Sequence, residues 1–390
     1  MAEPKEPPVE RRYRGGQIFD GTRLHRDAVL DLGGGRVIAL GPDTARGAGP
    51  GQPVTEDLAG DILCPGYVDL QVNGGGGVML GDVTGPDDLR RMARAHRGLG
   101  ATTILPTLIT DSPDRTAAAI AHVRAAIASG LPGIGGLHLE GPHLSLARKG
   151  AHDAALIRPM QADDLAMLCA AARDLPALVV TLAPESTTPD QVAALARAGA
   201  RVCLGHTDAD YDTCLAFARA GAVGVTHLFN AMSQLGSRAP GLVGAALDCG
   251  GLTAGLIADG VHVHPATIRR ALAAKAGPGT VFLVSDAMAV AGTDLDGFSL
   301  GGRRIDRGDG RLVLQDGTLA GADLDLTTAV TLLTGSCGVE MATALAMATR
   351  IPADFAGLAD VGRIAPGTTG PLLRLRPGAR GLALVDIIDP

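Results

Sequence analysis

Tryptophan is absent from this chain, and tyrosine (3) and phenylalanine (6) are scarce, so Ala, Val, Leu and Ile have to fill the core. There is no long basic run, and 34 Lys and Arg stand against 41 Asp and Glu for a net charge of −7. That balance gives no electrostatic reason to expect nucleic acid or an anionic membrane as partner, and an anionic substrate would have to be met by local positive groups. The six cysteines, Cys64, Cys169, Cys203, Cys214, Cys249 and Cys337, form no CxxC pair and no dense framework. Scattered thiols of this kind fit buried, reduced cysteines and a cytoplasmic location. No run of eighteen apolar residues occurs, and the opening MAEPKEPPVERR has charges and prolines in place of an apolar h-region. A soluble, non-secreted protein is expected.

What is present is punctuation. The 390 residues include 55 Gly and 24 Pro, which cut the apolar sequence into short runs. From Tyr13 to Leu63 these runs lie between glycines (GGQIFDG, AVLDLGGGRVIALG, GDILCPG) and read as hairpins of a small sheet. From Tyr67 the texture changes. YVDLQV, TTILPTL, IGGLHLE, ALVVTLAP, RVCLGHT, VGVTHLFN, LTAGLIADG and TVFLVSDA are candidate strands, most of them followed by Ala/Arg-rich helical patterns such as PDDLRRMARAHRGLG. Eight strand-helix alternations over about 250 residues are what a closed (β/α)8 barrel requires, with a doubly wound open sheet as the competing arrangement. FSLGGRRIDRGDGRLVLQDGTLAG then reads as a hairpin excursion, with helices around Thr327–Leu333 and Met341–Ala348. The tail LLRLRPGARGLALVDI alternates apolar residues as a strand does, and would return to the N-terminal sheet. The expected α/β organisation is a β-sandwich part over 1–62, a TIM-like barrel over 63–365, and a C-terminal return to the sandwich over 366–390.

Barrel chemistry sits at the C-terminal ends of the strands. Strand three ends in Glu140, strand five in His206, strand six in His227 with Asn230 just beyond, and strand eight in Asp286. Strand seven runs into Asp259 and His262, and strand one ends in Gln71 and Asn73. Two imidazoles and one carboxylate with a fourth position open match the ligand count of a catalytic Zn²⁺ or similar ion. A further carboxylate, Asp286, could then take the proton of the attacking water. A single strand-end histidine is more often a packed or capping residue; four polar groups at equivalent ends are harder to explain that way. Within GLHLEGPHLSLARKGAH, the local pattern alone leaves open which of His138, Glu140, His143 and His152 binds and which packs.

PGYVDLQVNG, LPTLIT, GLHLEGPHLSLARKGAH, VTLAPE, LGHTDA, THLFNAM, GLIADGVHV, VSDAMAVAG and GTLAG, in this order and spacing, resemble the N-acetylglucosamine-6-phosphate deacetylases of the amidohydrolase superfamily. The resemblance covers nearly the whole chain. It implies hydrolysis of the acetamide of N-acetylglucosamine 6-phosphate to glucosamine 6-phosphate and acetate, in amino-sugar catabolism and cell-wall recycling. It also implies one divalent metal per chain on Glu140, His206 and His227, with zinc the first choice and iron, cobalt, manganese or nickel as alternatives. Asp286 resembles the family's general acid/base, and His152 the histidine that polarises or orients the acetyl group. Asn230, Ala231, Arg238 and His262 match its sugar-phosphate contacts, Arg238 and His262 being supplied across a homodimer interface. By the same resemblance, His138 is a lumen residue behind Glu140, and His143 packs or bonds within its loop.

Two departures matter. Many superfamily members carry HxH at the end of strand one and bind two metals; here that place reads Gln71-Val72-Asn73, which argues for one tightly held ion. The closing segment also lacks the usual Ala-Asp ahead of its last strand. The rival functions are another amidohydrolase, acting on a cyclic amide or an N-acyl amino acid, and a non-catalytic scaffold. The missing HxH and the absence of an evident bridging lysine weigh against the first. Intact Glu140, His206, His227 and Asp286 weigh against the second.

Overall fold

The computed structural model describes residues 7–42 and 52–390, so the first half-dozen residues of the charged N-terminal segment lie outside it. Eight parallel strands follow in chain order: Tyr67–Val72, Ala101–Ile109, Leu137–Glu140, Leu178–Leu182, Arg201–Leu204, Gly224–Val225, Thr253–Leu256 and Val281–Leu283. They are buried along almost their whole length, as strands sealed between a filled lumen and a ring of helices must be. The neighbour order runs without reversal from the eighth strand to the first, and the bridge between Val72 and Ala287 joins the two ends. A doubly wound sheet reverses its order partway, so this row is a (β/α)8 barrel.

Seven helices fill the connections between strands: Pro86–Gly98, Pro113–Ala128, Ala162–Asp174, Pro189–Ala198, Tyr211–Ala220, Gly241–Asp248 and Pro265–Ala274. Their starts are encoded locally. Ser112, Thr188 and Asp210 accept the main-chain N–H of the third residue onward, and proline occupies the first helical position after two of them. His264 has the same task, its Nδ1 accepting the Ala266 N–H at 3.1 Å. Among the described residues no helix is long and apolar enough to cross a membrane.

The two chain ends build a sandwich. One sheet holds Arg11–Arg14, Ala28–Gly33, Arg36–Pro42 and Val54–Asp57; the other holds Gln17–Phe19, Leu24–Arg26, Ile62–Pro65, Leu372–Gly378 and Gly381–Ile388. Tyr13, Leu30, Leu32 and Val37 of the first pack against Ile18, Leu63, Leu372 and Ile388 of the second. The C-terminal strand Leu372–Gly378 lies antiparallel on Ile62–Pro65, with Leu373 opposite Cys64. The excursion after strand eight is a four-stranded antiparallel sheet over Gly297–Leu300, Arg303–Gly308, Arg311–Leu314 and Leu319–Ala322. It attaches to the barrel mouth where the Ala322 N–H donates to the Asp286 carbonyl at 2.9 Å.

The C-terminal strand is also held by charge. Asp61, 3% exposed, accepts from Arg374 Nε at 2.6 Å and from Arg376 Nε at 3.0 Å. The Arg376 guanidinium, with Arg374 beside it, holds the Asp61 carboxyl below the usual carboxylate range despite its burial. A depressed folded value means that this contribution is present at neutral pH and disappears as the pH falls through it. Replacing Asp61 by Ala should cost about 2 kcal/mol in urea denaturation at pH 7, below the full cost of breaking a buried pair because Arg376 reaches solvent. The deficit should shrink at acid pH; a pH-independent difference would contradict this account.

Candidate metal and catalytic centre

Glu140 closes strand three, while His206 and His227 stand just past strands five and six. Glu140 Oε1 lies 3.2 Å from His206 Nε2 and 3.0 Å from His227 Nε2, and the two ring nitrogens are 3.0 Å apart. Ligand atoms about 2.0–2.2 Å from a tetrahedral ion sit about 3.3 Å from one another, so this trio has the spacing of a ligand set. The His206 Nδ1–H donates to the Arg148 carbonyl at 2.8 Å, which leaves the Nε2 lone pair for a cation. Burial works against the Glu140 carboxylate, but bonds and charge from His206 and His227 pull its pKa well below the usual range. Burial likewise opposes a charged His227, and Glu140 overrides it and raises the imidazole. The site thus attracts positive charge, and the residues fit a divalent metal.

His152 also comes close: a ligand atom of His152, of Glu140 and of His206 all lie within 4.8 Å of one another. Its hydrogen bonds assign it a different role. The Thr110 N–H points at His152 Nδ1 at 3.3 Å and Thr110 Oγ1 lies 2.7 Å from it, so Nδ1 is an acceptor and Nε2 carries the hydrogen. Burial, with His206 nearby, lowers the ring to about 3 and keeps it neutral. A neutral ring with a protonated Nε2 is a donor toward a carbonyl oxygen, not a ligand through that atom. Gly141 makes room for this pair: its φ is +91°, and a Cβ there would stand 2.3 Å from Thr110 Oγ1.

Asp286 follows strand eight. Its Oδ1 accepts from Asn73 Nδ2 at 2.6 Å and from Gln71 Nε2 at 3.1 Å, and Gln71 Nε2 also lies 3.2 Å from Glu140 Oε1. The Gln71 amide therefore bridges the two carboxylates, while the Asn73 amide holds Asp286 alone. Burial and then the charge of Glu140 push Asp286 up to about 6, against the opposing influence of His227 and the Asn73 bond. His206, His227, Phe229, Ala231 and Asp286 all have positive φ. Left-handed backbone at non-glycine residues is costly and concentrates where geometry serves a function.

Glu140, His152, His206, His227, Asn73 and Asp286 line one cavity of about 390 Å³ together with Asn230, Ala231 and His262. Leu300, Thr318 and Leu319 of the excursion sheet form part of its wall. Arg238 does not line it and lies exposed in the loop before the Gly241–Asp248 helix. His262, expected across a dimer interface, lies beside the site of its own chain. Its Nδ1 is 2.5 Å from Asp259 Oδ2, while Asp259 Oδ1 accepts the Val261 and His262 N–H groups at 2.8 Å. His138 lies in the lumen behind Glu140, with Nδ1 3.0 Å from the Leu70 carbonyl and Nε2 2.7 Å from Thr181 Oγ1. His143 bonds within its loop, Nδ1 donating to the Arg158 carbonyl at 3.1 Å. Sequence reasoning gives no role to the bridging amide of Gln71, to the Asn73 amide on Asp286, or to the supporting Thr110 and Asp259. For Gln71 and Asn73 a signal existed: alternate polar residues on an otherwise apolar strand.

A model of the amidohydrolase family matches residues 62–372. The chain is 42% identical to the N-acetylgalactosamine-6-phosphate deacetylase of a Shewanella species, over 84% of this chain and 82% of that protein. It is 32% identical to the N-acetylglucosamine-6-phosphate deacetylase of Haemophilus influenzae, over 85% and 87%. Among solved structures, the N-acetylglucosamine-6-phosphate deacetylase of Pasteurella multocida superposes with a TM-score of 0.88 at 30% identity, covering 95% of this chain and 96% of that one.

If Glu140, His206 and His227 hold the ion, His206→Asn removes a direct ligand and should weaken metal affinity by more than about a hundredfold, the upper range for losing an outer-shell partner. Metal content after dialysis, measured by plasma emission, checks this; a wild-type content in the variant would move the site elsewhere.

Proposed function

The chain belongs to the amidohydrolase family, and from that premise we propose that it hydrolyses the acetamide of N-acetylglucosamine 6-phosphate, releasing acetate and glucosamine 6-phosphate. The observation that carries this reading is the convergence of Glu140, His206 and His227 beside Asp286 and His152 in one cavity. A second reading, the 4-epimer N-acetylgalactosamine 6-phosphate, is favoured by the 42% identity to the Shewanella enzyme. Both place the chain in amino-sugar catabolism, in a cytoplasm that its six unpaired cysteines suit.

A single divalent ion on Glu140, His206 and His227, zinc by preference, supplies Lewis acidity when bound. Asp286, ionised, accepts a proton from the attacking water and returns it to the leaving amine nitrogen. With Oδ1 engaged by Gln71 and Asn73, Oδ2 is the oxygen available for that transfer. His152 donates its Nε2–H to the acyl oxygen as negative charge develops there. The Asn230 side chain, the main chain at Ala231 and the His262 ring face the sugar phosphate. Asp259 Oδ2, 2.5 Å from His262 Nδ1, fixes the ring's orientation toward the substrate side. Arg238, exposed on its own chain, completes the phosphate site from the partner in a homodimer; a guanidinium can hold phosphate bidentately.

Acetate release measured with both 6-phosphorylated epimers and with unphosphorylated N-acetylglucosamine tests the reading. One phosphorylated epimer should be preferred over the free sugar by at least about a hundredfold in kcat/KM, the equivalent of roughly 2.7 kcal/mol. No acetate from any of the three would overturn it. Arg238→Ala should raise KM for the phosphorylated sugar and leave the unphosphorylated one unchanged; equal losses on both would contradict a phosphate role.

Asp286→Asn keeps size and removes the base, so kcat should fall by about 10²–10⁴ with metal content intact. In the wild type, kcat should fall on acidification, because Asp286 must be ionised to accept the proton. Burial and the Glu140 charge raise the Asp286 carboxyl and a bound cation opposes that rise, so the limb lies on the acid side of neutrality. A flat profile from pH 4 to 8, or a fully active Asp286→Asn protein, would assign the proton transfer to another group.

A further inference from the structure

The barrel is stitched unevenly. Every neighbouring pair of strands from first to eighth shares a ladder, but the first and eighth do not. That seam is closed by the Val72–Ala287 bridge and by main-chain bonds at the barrel mouth: the Asp286 N–H to the Gln71 carbonyl at 3.1 Å and the Asn73 N–H to the Ala287 carbonyl at 2.8 Å. One step deeper the stitch is a side chain. Asp69, 1% exposed, accepts the Ser285 N–H at 3.2 Å on each carboxylate oxygen and the Gln71 N–H at 3.2 Å on Oδ1. The Ser285 hydroxyl also lies against it.

Nothing in the reaction derived above uses Asp69, yet its burial is expensive. Among the described residues no cation is bonded to it, and burial, with the Asp286 charge adding to it, pushes its carboxyl up to about 7. A buried carboxylate is a poor choice for filling space, since an apolar residue would do so without that penalty. What a carboxylate does better than any neutral side chain is accept several N–H groups at once. Here the donors come from both sides of the seam, and one belongs to the residue immediately before Asp286. By strand periodicity Asp69 shares a face with Gln71, whose amide holds Asp286 Oδ1. The same strand therefore holds Asp286 by its carboxylate and its preceding residue by its main chain.

We propose that Asp69 is a positioning residue: by clamping the Ser285 main chain across the barrel seam it fixes the left-handed turn at Asp286 and aims that carboxylate for proton transfer. The inference rests on the role given to Asp286 above. In Asp69→Asn one oxygen must serve both the Gln71 and the Ser285 N–H, and an NH₂ group faces the Ser285 N–H where the second oxygen stood, so the turn loosens while ligands and phosphate contacts stay in place. A displacement of even about 1 Å at a catalytic group costs on the order of 10²-fold.

The test compares wild type, Asp69→Asn, Asp69→Ser and Ser285→Ala. Both Asp69 variants should lose about 10–100-fold in kcat with KM within about twofold, since an interaction serving the chemical step has been weakened and not one serving binding. Metal content should match wild type. Amide hydrogen exchange, which needs no activity, should be faster by on the order of tenfold at residues 284–287 and unchanged at the strand-three and strand-five ends. Ser285→Ala keeps the main-chain donor and should stay within about threefold of wild-type kcat. The proposal is overturned if kcat and exchange are unchanged in Asp69→Asn, if Ser285→Ala costs as much as the Asp69 variants, or if both Asp69 variants fail to fold, which would make Asp69 a determinant of the whole barrel. Wild-type protein releasing no acetate would instead overturn the functional reading, and the exchange data would then judge the clamp alone.

Discussion

A carboxylate held out of water needs hydrogen-bond donors or positive charge, and Glu140 at the end of barrel strand three is 2% exposed with no lysine or arginine bonded to it among the described residues. Its partners are two imidazoles from strands five and six and the amide of Gln71 from strand one. That one demand orders the rest of the site. It sets the His206 ring, fixed through Nδ1 by the Arg148 carbonyl, and it raises the proton affinity of His227. It also opposes ionisation of Asp286, so the amides of Gln71 and Asn73 are needed to hold that second carboxylate close to the first. A divalent cation answers the same electrostatic need in full.

The barrel is what allows such a cluster. Six side chains from five strand ends meet because parallel strands deliver their C-terminal residues to one rim, and the strictly sequential order keeps the rim closed. Scarcity of aromatics is compatible with this: Val179, Cys203 and Val284 line the small space below the site together with two rings, Phe282 and Phe355, whose centroids stand 5.1 Å apart. The sandwich stands apart from the chemistry and ties both chain ends together, whereas the excursion sheet reaches the cavity wall and bonds to the Asp286 carbonyl.

Much of this was legible beforehand for a physical reason. Apolar runs bounded by glycine and proline mark strands, and a polar residue at the end of such a run is conspicuous, so Glu140, His206, His227 and Asp286 stood out from their positions. The alternation in the last segment was enough to return it to the N-terminal sheet. The supports were harder to read. A main-chain carbonyl such as that of Arg148 has no sequence signature, and Thr110 reaches His152 only because Gly141 lets the loop pass. Spacing says nothing of which subunit's cavity a loop residue faces; the bond from His262 to Asp259, three residues earlier, sets its ring toward the cavity of its own chain. Roles were withheld from Gln71 and Asn73 because they were read as missing ligands, although an amide can supply the donor that two adjacent carboxylates require.

The proposed reading turns on a single ion held by Glu140, His206 and His227, with amide donors at Gln71 and Asn73 where a second ion would need ligands. Anomalous diffraction from crystals grown with excess zinc measures this directly. The account predicts one strong peak per chain, bonded to Glu140, His206 and His227, and none between Gln71, Asn73 and Asp286. Two peaks of comparable occupancy, or a single peak on the strand-one side, would contradict it.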